Sequence, residues 1–450
     1  MILEKIRTIT KEQTQKMIFL GLAIMIFILP IPQCIWPDEA STIAMQATFL
    51  MLLGLYFGVI YLIEIYKKRV SLKKQGLAYL CIYGLFLVGI ISVLISQDKS
   101  LALYGPKNRS EGFLTLISYY FIFIAASLLE NKTYRQRILQ FFLLLGSIVT
   151  VLGILQYTLI LEMKERFPGM AYVPMRNPNF YAAFAILFVG IGIGGFLTYR
   201  EDLKVTHPFR WWNRAFWYVL ILFGYAACIC ASSSVVYVGL IMIFLMSFFL
   251  EIVTKRRRFL SLLLLVVGLV TMMILFDLIR GGSVSEEFFS VGNQIQESGS
   301  VFADSVGTNR MGAWRRIVAL LPEHWLFGCG IEQLGRTYLD KYGWINGTYF
   351  DKAHNEYLHL WITEGIFAVL FYLVFLFALF LPGILQFMEK FKKKIKIIEE
   401  KYVFDEITQI VFLAFFGYIA QAFFNISVVQ VAPYFWMMCG LLYSRKREAI

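Results

Sequence analysis

The chain has 450 residues, 59% of them hydrophobic and only 16% charged, with a mean hydropathy of +0.67. Soluble domains run at about 45–50% apolar and about 25% charged, so the composition excludes a compact soluble fold and a disordered chain and leaves a polytopic membrane protein. The net charge of +12 has three possible sources: nucleic acid, anionic lipid or membrane topology.

A spanning helix needs about 17–25 mostly apolar residues. Twelve such windows follow in chain order, at 17–35, 43–66, 76–96, 112–130, 138–160, 180–198, 215–231, 234–254, 259–279, 353–381, 403–424 and 428–444. Their lengths suit helices rather than barrel strands, which also alternate in polarity. The first window runs into Pro32 and Trp36 instead of a small-residue cleavage site, and further spans follow it, so it reads as a retained helix. The expected fold is all-α and polytopic, with about 12 transmembrane helices. Helices one to nine occupy residues 1–279, one long extracytoplasmic loop with short amphipathic helices occupies 280–352, and helices ten to twelve occupy 353–450.

Sidedness follows from Lys and Arg in the short loops. With a cytoplasmic N-terminus, 29 of the 42 fall in cytoplasmic segments: Lys5 to Lys16, Lys67 to Lys74, Lys132 to Arg137, Arg200 to Arg214, Lys255 to Arg258, Lys390 to Lys401 and Arg445 to Arg447. The short outer loops hold six, namely Lys99, Lys107, Arg109, Lys164, Arg166 and Arg176. The other seven lie in the long loop, where eight acidic residues offset them. Both termini are therefore expected in the cytoplasm, topology accounts for most of the +12, and no nucleic acid is expected as a partner. Cys34, Cys81, Cys228, Cys230, Cys329 and Cys439 show neither zinc spacing nor a disulfide framework and read as packing residues.

Polar residues that neither solubility nor topology explains gather on the expected outer side, where charge near lipid is expensive and usually functional. The first patch is Gly105-Pro106-Lys107-Asn108-Arg109-Ser110-Glu111-Gly112. Its Gly-Pro marks a turn, and Arg109 reads either as a snorkelling residue paired with its neighbour Glu111 or as a ligand group. The second is Pro174-Met175-Arg176-Asn177-Pro178-Asn179-Phe180. Asn179 reads as the cap of the following helix; Arg176 runs against the charge bias and reads as structural or ligand-binding alike.

In the long loop, residues 281–307 are rich in Gly, Ser and Glu and are expected to be flexible. From Thr308, the spacing of Met311, Trp314, Val318 and Leu321 predicts an amphipathic helix capped by Thr308 or Asn309 and flanked by Arg310, Arg315 and Arg316. Its arginines either meet lipid phosphates or, for Arg310 at the positive N-terminal end, a bound pyrophosphate. Gly328-Cys329-Gly330 is a candidate anion nest. The fourth patch, Ala353 to Gly365, holds two of the four histidines. On a continuous helix His354, Tyr357, Leu358, Trp361 and Gly365 share one face, and Asn355, His359 and Ile362 another. Asn355 and His359 have metal-pair spacing but no third ligand, so no metal is expected. Glu364 lies about two and a half turns into the tenth window. His-Asn at a span entered from an arginine-bearing loop points to an active site.

These residues resemble the O-antigen ligase family of membrane glycosyltransferases, which includes O-antigen ligases, O-antigen polymerases and protein O-oligosaccharyltransferases. The family signature is His-Asn, nine residues, then Gly, matched here by His354-Asn355, Glu356 to Glu364, and Gly365. The order of Gly-x-x-x-Arg-x-Glu-Gly at Gly105 to Gly112, Asn-Pro-Asn at Asn177 to Asn179, Arg310 with Trp314, and Gly-x-Gly at Gly328 to Gly330 is also similar to the family. One departure is Trp325, where the family usually has proline.

The resemblance implies transfer of a glycan from undecaprenyl pyrophosphate to an acceptor hydroxyl of a glycan, glycolipid or protein. It places the reaction on the outer face of the plasma (inner) membrane, among membrane lipid, in the synthesis of cell-envelope polysaccharide such as lipopolysaccharide. No cofactor is expected. The outer loops show no aspartate pair for a metal, and arginines can replace one through charge-assisted contacts. Arg109, Arg176 and Arg310 are then the pyrophosphate clamp. His354 positions or deprotonates the acceptor hydroxyl with a pKa near neutrality, Asn355 orients His354 or the sugar, and Glu111, Asn179, Trp314, Tyr357 and Glu364 support the site. The alternatives are a surface-polysaccharide polymerase using the same donor, a transporter of an anionic solute with the arginines as entry site, and a noncatalytic scaffold of an envelope-glycan complex. Transporters place their sites near the bilayer midplane, whereas these polar groups gather at one surface, and a scaffold leaves His-Asn unexplained.

Overall fold

The computed structural model describes residues 6–35, 38–72, 75–158, 167, 169–199, 214–254, 259–279, 281–345, 349–391 and 405–443. Much of the charge expected to orient the chain lies outside these residues, including Lys5, Lys73, Lys74, Arg200, Lys204, Arg210, Lys255 to Arg258, Lys392 to Lys401 and Arg445 to Arg447. So do Lys164, Arg166, Arg280 and the side chain of Cys34.

The described chain is all-helical. Its helices are α1 (Lys11–Ile28), α2 (Ile31–Ile35), α3 (Glu39–Tyr66), α4 (Leu77–Ile95), α5 (Lys99–Tyr104), α6 (Phe113–Leu128), α7 (Lys132–Tyr157), α8 (Pro178–Thr198) and α9 (Arg214–Cys230). There follow α10 (Val235–Thr254), α11 (Phe259–Ile279), α12 (Ser283–Ser298), α13 (Arg310–His324), α14 (Leu334–Tyr342), α15 (Glu356–Glu364), α16 (Ile366–Phe391), α17 (Glu406–Gln421) and α18 (Ala432–Tyr443). Their starts are chemically marked: Thr10 forms a reciprocal capping box with Gln13, and Asp38, Asn131 and Asp405 cap α3, α7 and α17.

Among the described residues, eight stretches are long and apolar enough to cross a membrane, and they coincide with eight of the twelve expected windows: Lys11–Gln33, Glu39–Tyr66, Leu77–Ile95, Lys132–Tyr157, Pro178–Thr198, Val235–Ile252, Leu260–Leu278 and Glu406–Phe424. The other four windows give shorter pieces. α6, α9 and the stretch Ile366–Leu381 are apolar but shorter. α18 has 12 residues, about 18 Å of helix against a hydrocarbon core of about 30 Å. The tenth window is not one helix, because it divides at Gly365 into α15 and α16.

The bundle is organised around α8, which is buried at every position from Tyr181 to Thr198, as suits a helix that is apolar all round. It packs on α17 through Gly190 and Gly194. A Cβ at Gly190 would lie 2.5 Å from the Cα of Ala414, and one at Gly194 would lie 2.4 Å from the carbonyl oxygen of Ile410. Such close approach supplies van der Waals contact where lipid removes the hydrophobic drive between helices. α11 is the opposite case: Leu260, Leu263, Leu264, Val270 and Leu278 are all at least half exposed and face what would be lipid. At the end of the bundle away from the His-Asn segment, Arg135 donates to Asp405 at 2.8 Å and to the Leu441 carbonyl at 2.9 Å, tying α7 to α17 and α18.

At the other end, residues 281–345 and 349–355 form a helical cap. The stretch expected to be flexible contains α12. Asp277 accepts the N–H groups of Val284 at 3.0 Å and Ser285 at 2.8 Å, and Phe288 packs edge-on against Tyr237 at 4.9 Å. The glycines that suggested flexibility are its terminators, Gly282 and Gly299, both left-handed. α13, α14 and α15 enclose a small core of Ile317, Leu320, Leu321, Leu334, Tyr338, Ala353 and Ile362, separate from that of the bundle. The buried stripe of α13 is thus Ala313, Ile317, Leu320 and Leu321, rotated from the expected one, and Val318 is 51% exposed. The rotation serves Trp314, whose indole is turned toward the His354 segment.

Candidate active site

Four segments meet at the capped end. Between α5 and α6 the chain reverses so tightly that a Cβ on Gly112 would lie 2.4 Å from the Gly105 nitrogen. This turn presents Arg109 and Glu111 in different directions. Arg109 does not pair with Glu111, as a snorkelling arginine would. Its Nε donates to Asp351 Oδ2 at 3.2 Å and its Nη2 to Asp351 Oδ1 at 3.3 Å. That two-pronged bond uses two of the five guanidinium N–H groups and leaves three. Glu111 is buried, accepting from Tyr119 at 3.0 Å and Ser427 at 2.6 Å, with Lys352 Nζ 3.7 Å away.

Lys352 is 2% exposed and bonded to Glu332. Burial works against its charge, but Glu332 and Glu111 outweigh that and push its pKa up. Next to it, burial would raise the Asp351 carboxyl, and Arg109 overrides this to hold it below the usual range. Neither Asp351, Lys352 nor Glu332 stood out in the sequence, where they counted only as charges balancing the loop.

His354 follows directly and is not on a helix face. Its φ of +48° turns the chain, and Asn355 then caps α15 by accepting the Leu358 N–H at 2.9 Å. Trp314 fixes the turn from the other side, its Nε1 donating to the Ala353 carbonyl at 2.8 Å. The His354 ring meets Phe350 edge-on at 6.3 Å. Burial, then the positive charges of Arg310 and Arg109, push its pKa down to about 4, so the imidazole is neutral at physiological pH and below the expected neutral range for a base.

Arg310 opens α13. Arg315 and Arg316 both pair with Asp304, whereas Arg310, half-buried, has no hydrogen bond or ion pair among the described residues. Burial lowers its pKa. The helix end itself is not an open anion site. The N–H groups of Arg310, Met311, Gly312 and Ala313 already bond to the carbonyls of Gly307, Val306, Asp304 and Asn309, and Asn309 offers no side-chain cap. Only the guanidinium is available.

Gly328 to Gly330 is likewise not an anion nest. The N–H of Cys329 bonds to the Ile362 carbonyl at 2.8 Å and that of Gly330 to Thr363 at 2.9 Å, closing the C-terminus of α15. The signature glycine belongs to the same joint: Gly365 has φ +87°, and a Cβ there would lie 2.1 Å from the Leu326 carbonyl oxygen. Glu364, just before it, is buried. Tyr357 anchors α15 to the bundle by donating to the Ile419 carbonyl at 2.7 Å.

The second patch leads into α8. Arg176 has φ +58° and sits in electrostatic reach of Asp38 at the start of α3, whereas the charges acting on His354 are Arg310, Arg109, Asp351 and Lys352. Asn177, not Asn179, caps α8, accepting the Asn179 N–H at 2.9 Å with Pro178 at the first helical position. Asn179 instead accepts from Ser233 at 2.7 Å and, through its carbonyl, from Asn425 at 3.1 Å. Ser110, Arg176, Asn309, Glu332 and His354 are all left-handed non-glycine residues, at roughly 1–2 kcal/mol each. Such strain gathers at functional sites.

The fold and the cluster define a multi-pass membrane protein with arginine side chains gathered beside a neutral imidazole at one end of its helical bundle. Residues 217–373 match the family model described as O-antigen ligase, which supports assignment of the chain to the O-antigen ligase family and a membrane glycosyltransferase-like function acting on glycans. The matched stretch contains Arg310, Trp314, Asp351, His354, Asn355 and Gly365. The comparison with curated proteins found no match.

Proposed function

We propose that the protein transfers a glycan from undecaprenyl pyrophosphate to an acceptor hydroxyl, on the extracytoplasmic face of the plasma membrane. The observation that carries this reading is the pairing of an unpartnered, half-buried Arg310 guanidinium with the neutral imidazole of His354. The bond from sugar C1 to the pyrophosphate oxygen breaks, its electron pair leaving on that oxygen, and a bond from C1 to the acceptor oxygen forms. The growing charge meets Arg310 and the three free N–H groups of Arg109. Arg176 is the outlying member of the clamp. The acceptor proton passes to His354.

At about 4 His354 is a poor base until the donor arrives. A bound pyrophosphate offsets the pull of both arginines and lifts the imidazole toward its ordinary value, so that proton abstraction becomes effective only with the donor in place. The test is transfer from a lipid-linked oligosaccharide to candidate acceptors by the purified protein. His354→Ala and Arg310→Lys should each abolish transfer while the protein stays inserted, and transfer retained in both would end this assignment. A polymerase shares the donor and differs only in taking a growing glycan as acceptor, so the same assay with both acceptor types separates the two.

A further inference from the structure

Behind the His354 turn lies a second compartment of opposite character. The segment 351–356 is its partition. Asp351 and His354 belong with Arg109 and Arg310, while Lys352 and Glu356 line a cavity of about 80 Å³ on the other side. The cavity is walled by aromatic residues, among them Tyr119, Tyr372 and Trp436, and by the carboxyl groups of Glu111, Glu332, Glu356 and Glu364.

Its polar groups are unfinished. Glu364 is 4% exposed, and its Oε2 has no hydrogen-bond partner among the described residues; Glu356 Oε2 and His359 Nδ1 are also buried without one there. Buried polar atoms left unpaired cost about 1–3 kcal/mol each, and three of them on one cavity mark a position that something polar fills. The cation on the wall, Lys352, is already taken by Glu332 and Glu111. A phosphate entering here would lose its water and meet no free cation. The donor pyrophosphate therefore belongs with the arginines and is excluded from this side.

We propose that the cavity is the acceptor-side subsite, taking an uncharged, hydroxyl-bearing edge of a sugar, with Glu356 and Glu364 accepting its O–H groups and the aromatic walls flanking its apolar surface. This rests on the glycosyltransferase reading. The volume suits a hydroxymethyl arm or a ring edge rather than a whole sugar. His359, on its wall, is within electrostatic reach of His354, so the cavity and the imidazole are neighbours across the 351–356 segment.

The test is equilibrium binding to the full-length protein in lipid nanodiscs, with three probes: n-octyl β-glucoside, the anionic n-octyl β-glucuronide, and undecaprenyl pyrophosphate. The wild-type protein should prefer glucoside to glucuronide by about tenfold or more, and Glu356→Gln with Glu364→Gln should narrow that to about threefold or less. Leu360→Trp, which fills the cavity from its wall, should weaken glucoside binding by about tenfold. Both variants should leave undecaprenyl pyrophosphate binding within about twofold of wild type, which also certifies their fold. Absence of the preference, its persistence in the double glutamine variant, or competition between glucoside and undecaprenyl pyrophosphate would overturn the subsite. Failure of undecaprenyl pyrophosphate to bind, or binding indifferent to Arg310→Gln, would instead overturn the functional reading beneath it.

Discussion

Trp314→Phe isolates one hydrogen bond that holds the His354 turn. The Ala353 carbonyl it serves is on a fully buried residue, and its donor, Trp314 Nε1, lies 2.8 Å away. Phenylalanine keeps a ring against Phe423 and Phe424, which pack on Trp314 at 5.9 and 5.8 Å, and removes only the N–H. Leaving that carbonyl unpaired costs about 1–3 kcal/mol. The left-handed conformation of His354 stores about 1–2 kcal/mol. The tether and the strain it restrains are comparable, so cutting the tether lets the turn relax, and about 2 kcal/mol corresponds to a factor of about 30 in the population of the competent turn. Single-turnover transfer should fall by about tenfold or more, while donor binding, which the proposed function assigns to Arg310 and Arg109, stays near wild type. Trp314→Ala should fall further, since the ring contacts add about 0.5–1.5 kcal/mol. A Trp314→Phe rate within about twofold of wild type, with Trp314→Ala impaired, would refute the reasoning and assign the restraint to ring packing.

Arg310→Gln removes a positive charge that lowers the His354 pKa; the imidazole should then titrate at higher pH, which an NMR titration of the His354 ring reads directly. Lys352→Met leaves Glu332 and Glu111 facing each other in a buried site without their shared cation, and should cost about 3–5 kcal/mol in unfolding measurements; unchanged stability would show that the network carries no net charge. Gly365→Ala places a Cβ against the Leu326 carbonyl at a φ of +87°, so the joint between α15 and α16 should fail, seen as a lowered Tm in detergent or loss of folded protein.

The sequence made the apolar helices and the His-Asn segment legible because both are local signals. It could not show the break at Gly365, since an apolar run on either side of one glycine reads as a continuous span. Nor could it show that Arg109 pairs with Asp351, a contact between residues 242 positions apart in the chain, or that Glu111, Glu332 and Glu356 are drawn to one cavity from three segments. The cap of α8 was within reach: Pro178 favours the first helical position, which makes Asn177 the capping residue. The Arg310 N–H groups looked open because only the fold reveals that the preceding turn supplies their acceptors.

One hydroxyl of α4 holds the cap at two points. Ser92, near the end of α4, donates to the Thr363 carbonyl at 3.1 Å and accepts the Ile331 N–H at 3.0 Å, gripping both α15 and the Gly328 to Gly330 joint. α4 is 19 residues long, a rod of about 28 Å. In the proposed reaction the donor's polyprenyl tail is moored in hydrocarbon, and the bilayer sets the height of its pyrophosphate. Ser92 is then the benchmark from which the height of Arg310 and His354 is measured, and one residue inserted earlier in α4 would lift the whole cap by about 1.5 Å and swing it by about 100°, out of level with the group it has to meet.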